Sequence, residues 1–112
     1  MIVDLTFLKK FTRDDPKKMK RYIGLYLDVA PKTFDAMKRN LANDDWEQLR
    51  INAHSLKPQA DFMGISSLKE ELIKIEEAVR TNNFEMLENL LDSSFKIATD
   101  CEIIFKKMLE QL

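Results

Sequence analysis

Apolar residues recur at intervals of three and four along almost the whole of this 112-residue chain. This spacing places them on one side of an α-helix, so the sequence predicts an all-α fold. The chain has only 2 glycines and 3 prolines, and therefore lacks the turn residues that a small all-β domain needs. Its length is that of one ordinary domain, so residues 1–112 are predicted to form a single domain.

Turn and capping residues divide the pattern into a short leading helix over residues 5–11 and four longer helices. Asp15 and Pro16 predict the start of the second helix, as N-cap and first helical residue. Pro31 lies inside this helix and predicts a kink or a break, because proline cannot donate to the carbonyl four residues earlier. Gly64 predicts a left-handed stop at the end of the third helix.

Three more capping signals fix the remaining helix starts. Asp44 with Glu47 resembles a capping box for the third helix, and Ser67 with Glu70 resembles one for the fourth. Asn83 is predicted to cap the last helix. A helical hairpin of roughly residues 45–63 and 67–80 results from these boundaries.

Short connections place neighbouring helices antiparallel, so we predict an up-down four-helix bundle with a short additional N-terminal helix. The most regular apolar positions are expected in its core. These are Leu49, Ala53, Leu56, Leu72, Ile75, Leu91, Ala98 and Phe105.

Composition excludes several classes of function. With 18 basic and 19 acidic residues, the chain lacks the bulk field that holds nucleic acid or an anionic membrane. Neither glycine-rich nucleotide fingerprint is present, and one histidine with one cysteine is too few for a zinc site. No apolar run approaches the ~18 residues of a membrane span. A lone cysteine, Cys101, suits a reducing compartment, so we expect a cytoplasmic protein.

His54 is the position that points to chemistry. At about 100° per residue, it falls roughly 130° from the middle of the apolar stripe of its helix and should face solvent. Four charged residues lie on the same side of this helix, with two apolar residues beside them. The charged residues are Glu47, Arg50, Lys57 and Asp61, and the apolar residues are Ile51 and Phe62. Taken alone, an exposed histidine is an ordinary surface residue.

The sequence around His54 adds a family resemblance. The histidine lies in the string Ala53-His54-Ser55-Leu56-Lys57, and Gly64 follows ten residues after it. The preceding helix contains an aromatic residue and a proline, Tyr26 and Pro31. The histidine helix starts with an acid–tryptophan pair, Asp45-Trp46, and the next helix contains a hydrophobic–acid pair, Ile75-Glu76. In this order, over nearly the whole chain, these features resemble the histidine-containing phosphotransfer (HPt) domains of two-component phosphorelays.

The resemblance implies a phosphoryl carrier rather than an enzyme. His54 is expected to accept a phosphoryl group from a receiver-domain aspartate and to pass it to another receiver domain. Lys57, one turn on, is expected to pair with the phosphoryl oxygens. Glu76 is expected either to orient the imidazole or to be an ordinary surface acid. No cofactor and no metal site are expected. The expected partners are receiver domains of response regulators or hybrid histidine kinases. The chain itself is expected to be a monomer.

Three positions depart from the family pattern and bear on docking. Pro58 stands where most HPt domains have glycine, which predicts a bend of the helix beside His54. Asp61 replaces what is often a small residue, and is expected either to be solvated or to meet a basic group of the receiver. Phe62 replaces what is often asparagine, and is expected either to join Ile51 in an apolar docking patch or to turn into the core. We expect Arg50 in the docking surface as well.

Two other functions compete with this interpretation. A helical interaction module without chemistry would dock a partner through Ile51 and Phe62. A hydrolase or transferase built around His54 would need a nucleophile or an acid partner at a plausible spacing, and the sequence offers neither.

Overall fold

The structure, a computed structural model, describes residues 2–112. Within that range it contains five α-helices, one short 3₁₀ turn and no strand. The helices are α1 (Thr6–Thr12), α2 (Pro16–Ala42), α3 (Trp46–Phe62), α4 (Ser66–Arg80) and α5 (Leu87–Gln111), and the 3₁₀ turn is Phe84–Met86.

Helices α2 to α5 form the predicted up-down four-helix bundle. Each packs against the next along the chain, and α5 closes the ring against α2. The bundle is about twice as long as it is wide, with extents of 44 × 21 × 20 Å. All eight residues predicted for the core are buried, because the 3/4 spacing turns one stripe of every helix inward. The short helix α1 packs against α2 at one end of the bundle.

Helix α2 begins as predicted but is not broken. The side chain of Asp15 accepts a hydrogen bond from the backbone N–H of Lys17, and Pro16 is the first helical residue. The helix then continues through Pro31 to Ala42, so of the two expected outcomes, a kink or a break, the break does not occur. Proline removes one donor, and the neighbouring apolar residues Ala30 and Phe34 are both buried in the bundle. Their packing outweighs the lost hydrogen bond.

The predicted capping box of α3 is wrong by one residue. Asp44 adopts a left-handed conformation with φ 53°, and it lies outside the helix. The N-cap is Asp45, whose carboxylate accepts from the backbone N–H of Gln48 at 3.3 Å. Glu47 reaches forward to Arg50 instead of back to the cap. Either aspartate satisfies the sequence pattern, and the left-handed turn at Asp44 decides between them.

The other two predicted caps are also wrong. Helix α4 starts at Ser66 after Ile65, which makes no side-chain cap. Ile65 is fully buried, so packing rather than a hydroxyl fixes this start, and the Ser67 hydroxyl has no partner within residues 2–112. Asn83 precedes the 3₁₀ turn and donates its side-chain amide to the Thr81 hydroxyl. Helix α5 therefore begins at Leu87 without a side-chain cap.

Gly64 ends α3 in the predicted left-handed conformation, with φ +73°, and also receives the N-terminal segment. The backbone N–H of Asp4 donates to the carbonyl of Gly64 at 2.8 Å. A Cβ atom at Gly64 would lie 1.6 Å from the carbonyl oxygen of Asp4. Val3 and Leu8 are buried on either side of this contact. The absence of a side chain at Gly64 thus lets the N-terminal segment hold α1 against the end of α3.

Candidate functional site

His54 projects from the middle of α3, and its side chain is 65% exposed. Leu49, Ala53 and Leu56 on the same helix are buried, so the orientation of α3 is set by its apolar stripe. The predicted exposure of His54 is confirmed. The histidine side chain is therefore accessible to another protein.

Glu76 reaches this histidine from α4. Its side chain is only 5% exposed, because its neighbours Leu72 and Ile75 anchor that face of α4 in the core. One carboxylate oxygen, Oε2, lies 3.0 Å from Nδ1 of His54. The alternative that Glu76 is an ordinary surface acid is therefore wrong.

Lys57 approaches the other oxygen of the same carboxylate. Its Nζ atom lies 2.6 Å from Oε1 of Glu76, in an ion pair. The lysine side chain remains 25% exposed. Glu76 thus holds His54 and Lys57 together on the surface, one on each oxygen.

The ionisation of Glu76 decides which imidazole nitrogen is free. Burial alone would raise the pKa of Glu76, but the contacts with Lys57 and His54 outweigh burial and hold this pKa below the ordinary value for glutamate. An ionised carboxylate only accepts hydrogen bonds, so the Nδ1 of His54 carries the proton that it shares with Glu76. The lone pair then lies on Nε2, which has no hydrogen-bond partner among residues 2–112.

A shallow depression surrounds His54. It is lined by His54, Lys57, Pro58, Asp61 and Lys69. Lys69 comes from α4 and pairs with Asp61 at 3.1 Å, so the negative charge of Asp61 is offset within the chain. The sequence analysis missed Lys69. The turn at Gly64 could have indicated this residue, because it brings the end of α3 and the start of α4 side by side.

Phe62 lies at the end of α3, half-buried, but not in the main core. Its ring packs against Phe7 and Phe11 of α1 and Tyr22 of α2, at centroid distances of 5.4, 5.2 and 5.2 Å. We refer to these four residues as the aromatic cluster. Phe7 and Phe11 remain 54% exposed, and the sequence analysis missed their part in this surface. Phe62 therefore lies at the surface of the molecule, where it lines a groove together with Pro58.

The remaining predicted docking residues are distributed along α3. Ile51 is 42% exposed and does not belong to the aromatic cluster, since eleven residues of helix, about 16 Å, separate it from Phe62. Arg50 is engaged by Glu47 one turn earlier. The contact raises the pKa of Arg50 and lowers the pKa of Glu47. Helix α3 runs without interruption through Pro58, which lies between His54 and Phe62.

Among residues 2–112, no group of three or more His, Cys, Asp or Glu side chains could hold a metal ion. No helix in the same range is both long enough and apolar enough to cross a membrane.

A four-helix bundle with an exposed histidine, a buried glutamate on its Nδ1 and a lysine one turn on has the arrangement of a phosphotransfer domain. Residues 21–112 match the Hpt domain family. The chain therefore belongs to the Hpt domain family, and the resemblance found in the sequence is confirmed.

One solved structure that matches this chain has the same fold. The chain is similar to the crystal structure of histidine-containing phosphotransfer protein B (HptB) from Pseudomonas aeruginosa PAO1, with a TM-score of 0.93 and 18% sequence identity. The match covers 99% of this chain and 96% of that one. It confirms the predicted helical bundle. A comparison with the curated proteins finds no match.

Proposed function

We propose that this chain carries a phosphoryl group on Nε2 of His54 between two receiver domains. The observation that carries the proposal is the contact between Glu76 and Nδ1 of His54 at 3.0 Å. This contact leaves the lone pair of Nε2 directed away from the bundle. The His54 side chain that carries it is 65% exposed. Membership of the Hpt family supports the same role.

The transfer is a displacement at phosphorus. The Nε2 lone pair of His54 attacks the phosphorus of an aspartyl phosphate, so a P–N bond forms as the bond between phosphorus and the aspartate oxygen breaks. The electron pair of the broken bond stays on the aspartate carboxylate. The imidazole keeps its Nδ1 proton and becomes positively charged, and the buried carboxylate of Glu76 stabilises that charge. Delivery to a second receiver is the reverse of this reaction.

Glu76 is a positioning residue and Lys57 is a charge partner in this proposal. Glu76 fixes the ring orientation and the tautomer without touching phosphorus. Lys57 is already near the ring and partly exposed, so its ammonium can turn from Glu76 to the phosphoryl oxygens. The receiver provides the metal and the remaining groups that stabilise the transferring phosphoryl group.

The test is transfer from a receiver domain that has been phosphorylated with acetyl phosphate. The chain should gain one phosphoryl group in intact mass measurements, and this group should be labile in acid and stable in alkali, as phosphohistidine is. His54→Gln should gain none. Phosphate retained by His54→Gln, or an acid-stable adduct, would reject His54 as the carrier. Binding of the receiver without any phosphate gain would favour the interaction module instead.

Glu76→Gln separates positioning from folding. The amide can still contact the ring, but it carries no charge to stabilise the positively charged imidazole. We expect transfer to slow by about 10- to 100-fold, with a changed dependence of rate on pH and an unchanged helical circular dichroism spectrum. Glu77→Gln is the matched control, because it removes one carboxylate from the same helix at an exposed position that does not line the depression. An equal loss of rate in both variants would reject the positioning role.

A further inference from the structure

The charges of this chain are strongly segregated, although its net charge is only −1. Residues 2–24 contain seven basic and three acidic residues, a net charge of +4, which leaves −5 for the rest of the chain. The basic residues of this segment are Lys9, Lys10, Arg13, Lys17, Lys18, Lys20 and Arg21. They lie on α1, on the turn after it and on the first two turns of α2.

These seven basic residues are not neutralised within the described chain. None of them forms an ion pair among residues 2–112, whereas eight of the other eleven basic residues do. Two of the three acids of the segment are engaged at helix starts. Asp4 accepts from Thr6, and Asp15 accepts from the backbone N–H of Lys17. The basic side chains of this segment are therefore available to a partner.

The aromatic cluster lies at the same end. On α1, Lys10 follows Phe7 by three residues, so the two share a helix face. On α2, Lys18 precedes Tyr22 by four residues, and Arg21 precedes Leu25 by four. Leu25 is 49% exposed. This arrangement, an apolar centre with a charged rim, is that of a protein–protein interface. We call it the basic aromatic surface, made of Phe7, Phe11, Tyr22, Leu25, Phe62, Lys10, Lys18 and Arg21.

This surface is continuous with the depression around His54. Pro58 lines that depression, and it also lines the groove that contains Tyr22, Leu25 and Phe62. A partner that closes over His54 therefore meets the groove at its edge. The Hpt match begins at Arg21, so six of the seven basic residues and all of α1 precede the matched part of the chain.

We propose that the basic aromatic surface selects the receiver domain that exchanges phosphate with His54. The inference rests on the proposed function and deepens it. The expected partner face is acidic and carries apolar side chains. A receiver fits this description, because an aspartate that exchanges phosphate beside a magnesium ion lies among other carboxylates. Continuity with His54 favours a receiver over an anionic membrane as the occupant.

The test compares two double charge reversals with the same net charge. Lys18→Glu/Arg21→Glu alters the basic aromatic surface, and Lys38→Glu/Arg39→Glu alters exposed residues near the other end of α2 that form no ion pair among residues 2–112. The donor is the phosphorylated receiver that transfers fastest to the unaltered chain, from a panel encoded in the same genome. We expect Lys18→Glu/Arg21→Glu to slow this transfer about tenfold at low salt and the control to stay within about twofold. Added salt should reduce the difference.

Phosphoramidate, a small donor that needs no docking, separates this proposal from the proposed function. It should load His54 equally in the unaltered chain and in both variants. If phosphoramidate loads all three proteins equally and the receiver also transfers to them equally, the docking proposal is overturned and the proposed function is not. Equal slowing of both variants by the receiver would also overturn it, because net charge would then explain the effect. No loading of His54 by either donor would reject the proposed function, and the docking proposal with it.

A vesicle experiment tests the competing occupant. Flotation with vesicles of phosphatidylglycerol and phosphatidylcholine should leave the unaltered chain in the unbound fraction. Binding to these vesicles that Lys18→Glu/Arg21→Glu abolishes, with unchanged transfer from the receiver, would overturn the proposal in favour of an anionic membrane.

Discussion

Replacing Gly64 with alanine tests how firmly the N-terminal segment is held. The new Cβ atom would lie 1.6 Å from the carbonyl oxygen of Asp4, which is far inside van der Waals contact. That oxygen belongs to the backbone, so no side-chain rotation can relieve the overlap. The segment must move away, and its hydrogen bond from Asp4 N–H to the carbonyl of Gly64, 2.8 Å long, is lost.

Three contributions set the expected loss of stability. Alanine in a left-handed conformation costs about 1 kcal/mol, and the lost backbone hydrogen bond costs about 1 kcal/mol. Val3 is 3% exposed, and exposing its side chain costs about 1.5–3 kcal/mol. Together Gly64→Ala should lower the free energy of unfolding by roughly 3–5 kcal/mol. For a domain of this size, the melting temperature should fall by roughly 12–20 °C.

Gly24→Ala is the matched control. Gly24 lies inside α2, and a Cβ atom there would meet nothing within 4 Å. Alanine should therefore stabilise the helix by about 0.5–1 kcal/mol. Both variants are measured by urea unfolding and by thermal unfolding. A loss below about 1 kcal/mol in Gly64→Ala would show that the N-terminal segment is not clamped at Gly64, and the reasoning would fail.

The remaining predictions concern the site. His54→Gln should leave the melting temperature within about 2 °C of the unaltered chain, because an exposed side chain contributes little to stability; a larger fall would mean that the histidine is structural. Pro58→Ala should stabilise the chain by about 1–3 kcal/mol in urea unfolding, and more than Pro58→Gly, because alanine restores a helical N–H with better propensity. Pro58→Arg should block transfer from a receiver while loading by phosphoramidate persists, and equal transfer would place Pro58 outside the docking surface. The pKa of Glu76 is lower in the folded chain than the ordinary 4.5, so ionised Glu76 stabilises the fold above that pH. The stability advantage over Glu76→Gln should therefore be present at pH 7 and decrease as the pH falls below 4.5 and through the folded pKa, and a difference that does not decrease with falling pH would contradict this linkage.

The helices and the core were predictable because each depends on a regular pattern. The 3/4 spacing predicted the helical class and every predicted core residue, and turn and capping residues divided the pattern into five helices. Helix starts were less predictable, because several residues in a row offer a side-chain cap. At the start of α3, Asp44 and Asp45 both fit, and at the start of α4 the buried Ile65 prevails over Ser67.

The site was predictable in its residue types but not in its contacts. The exposure of His54 follows from its angle on α3, whereas the burial of Glu76 depends on how deeply α4 packs against α3. Likewise, the side of α1 that Phe7 and Phe11 present to Phe62 depends on the anchoring of Asp4 at Gly64. These are long-range contacts, and a single sequence carries no periodic signal for them.

The contact between Glu76 and His54 has a kinetic consequence for a relay. Because Glu76 occupies Nδ1, the ring offers a single nitrogen and a single direction of approach. Under the proposed function, donor and acceptor receivers must therefore occupy the same place in turn, and no complex of three proteins can form around one ring. The relay then follows ping-pong kinetics, in which an abundant unphosphorylated acceptor competes with the donor for the unloaded carrier. Signal flow through such a chain should pass through a maximum as the concentration of acceptor rises.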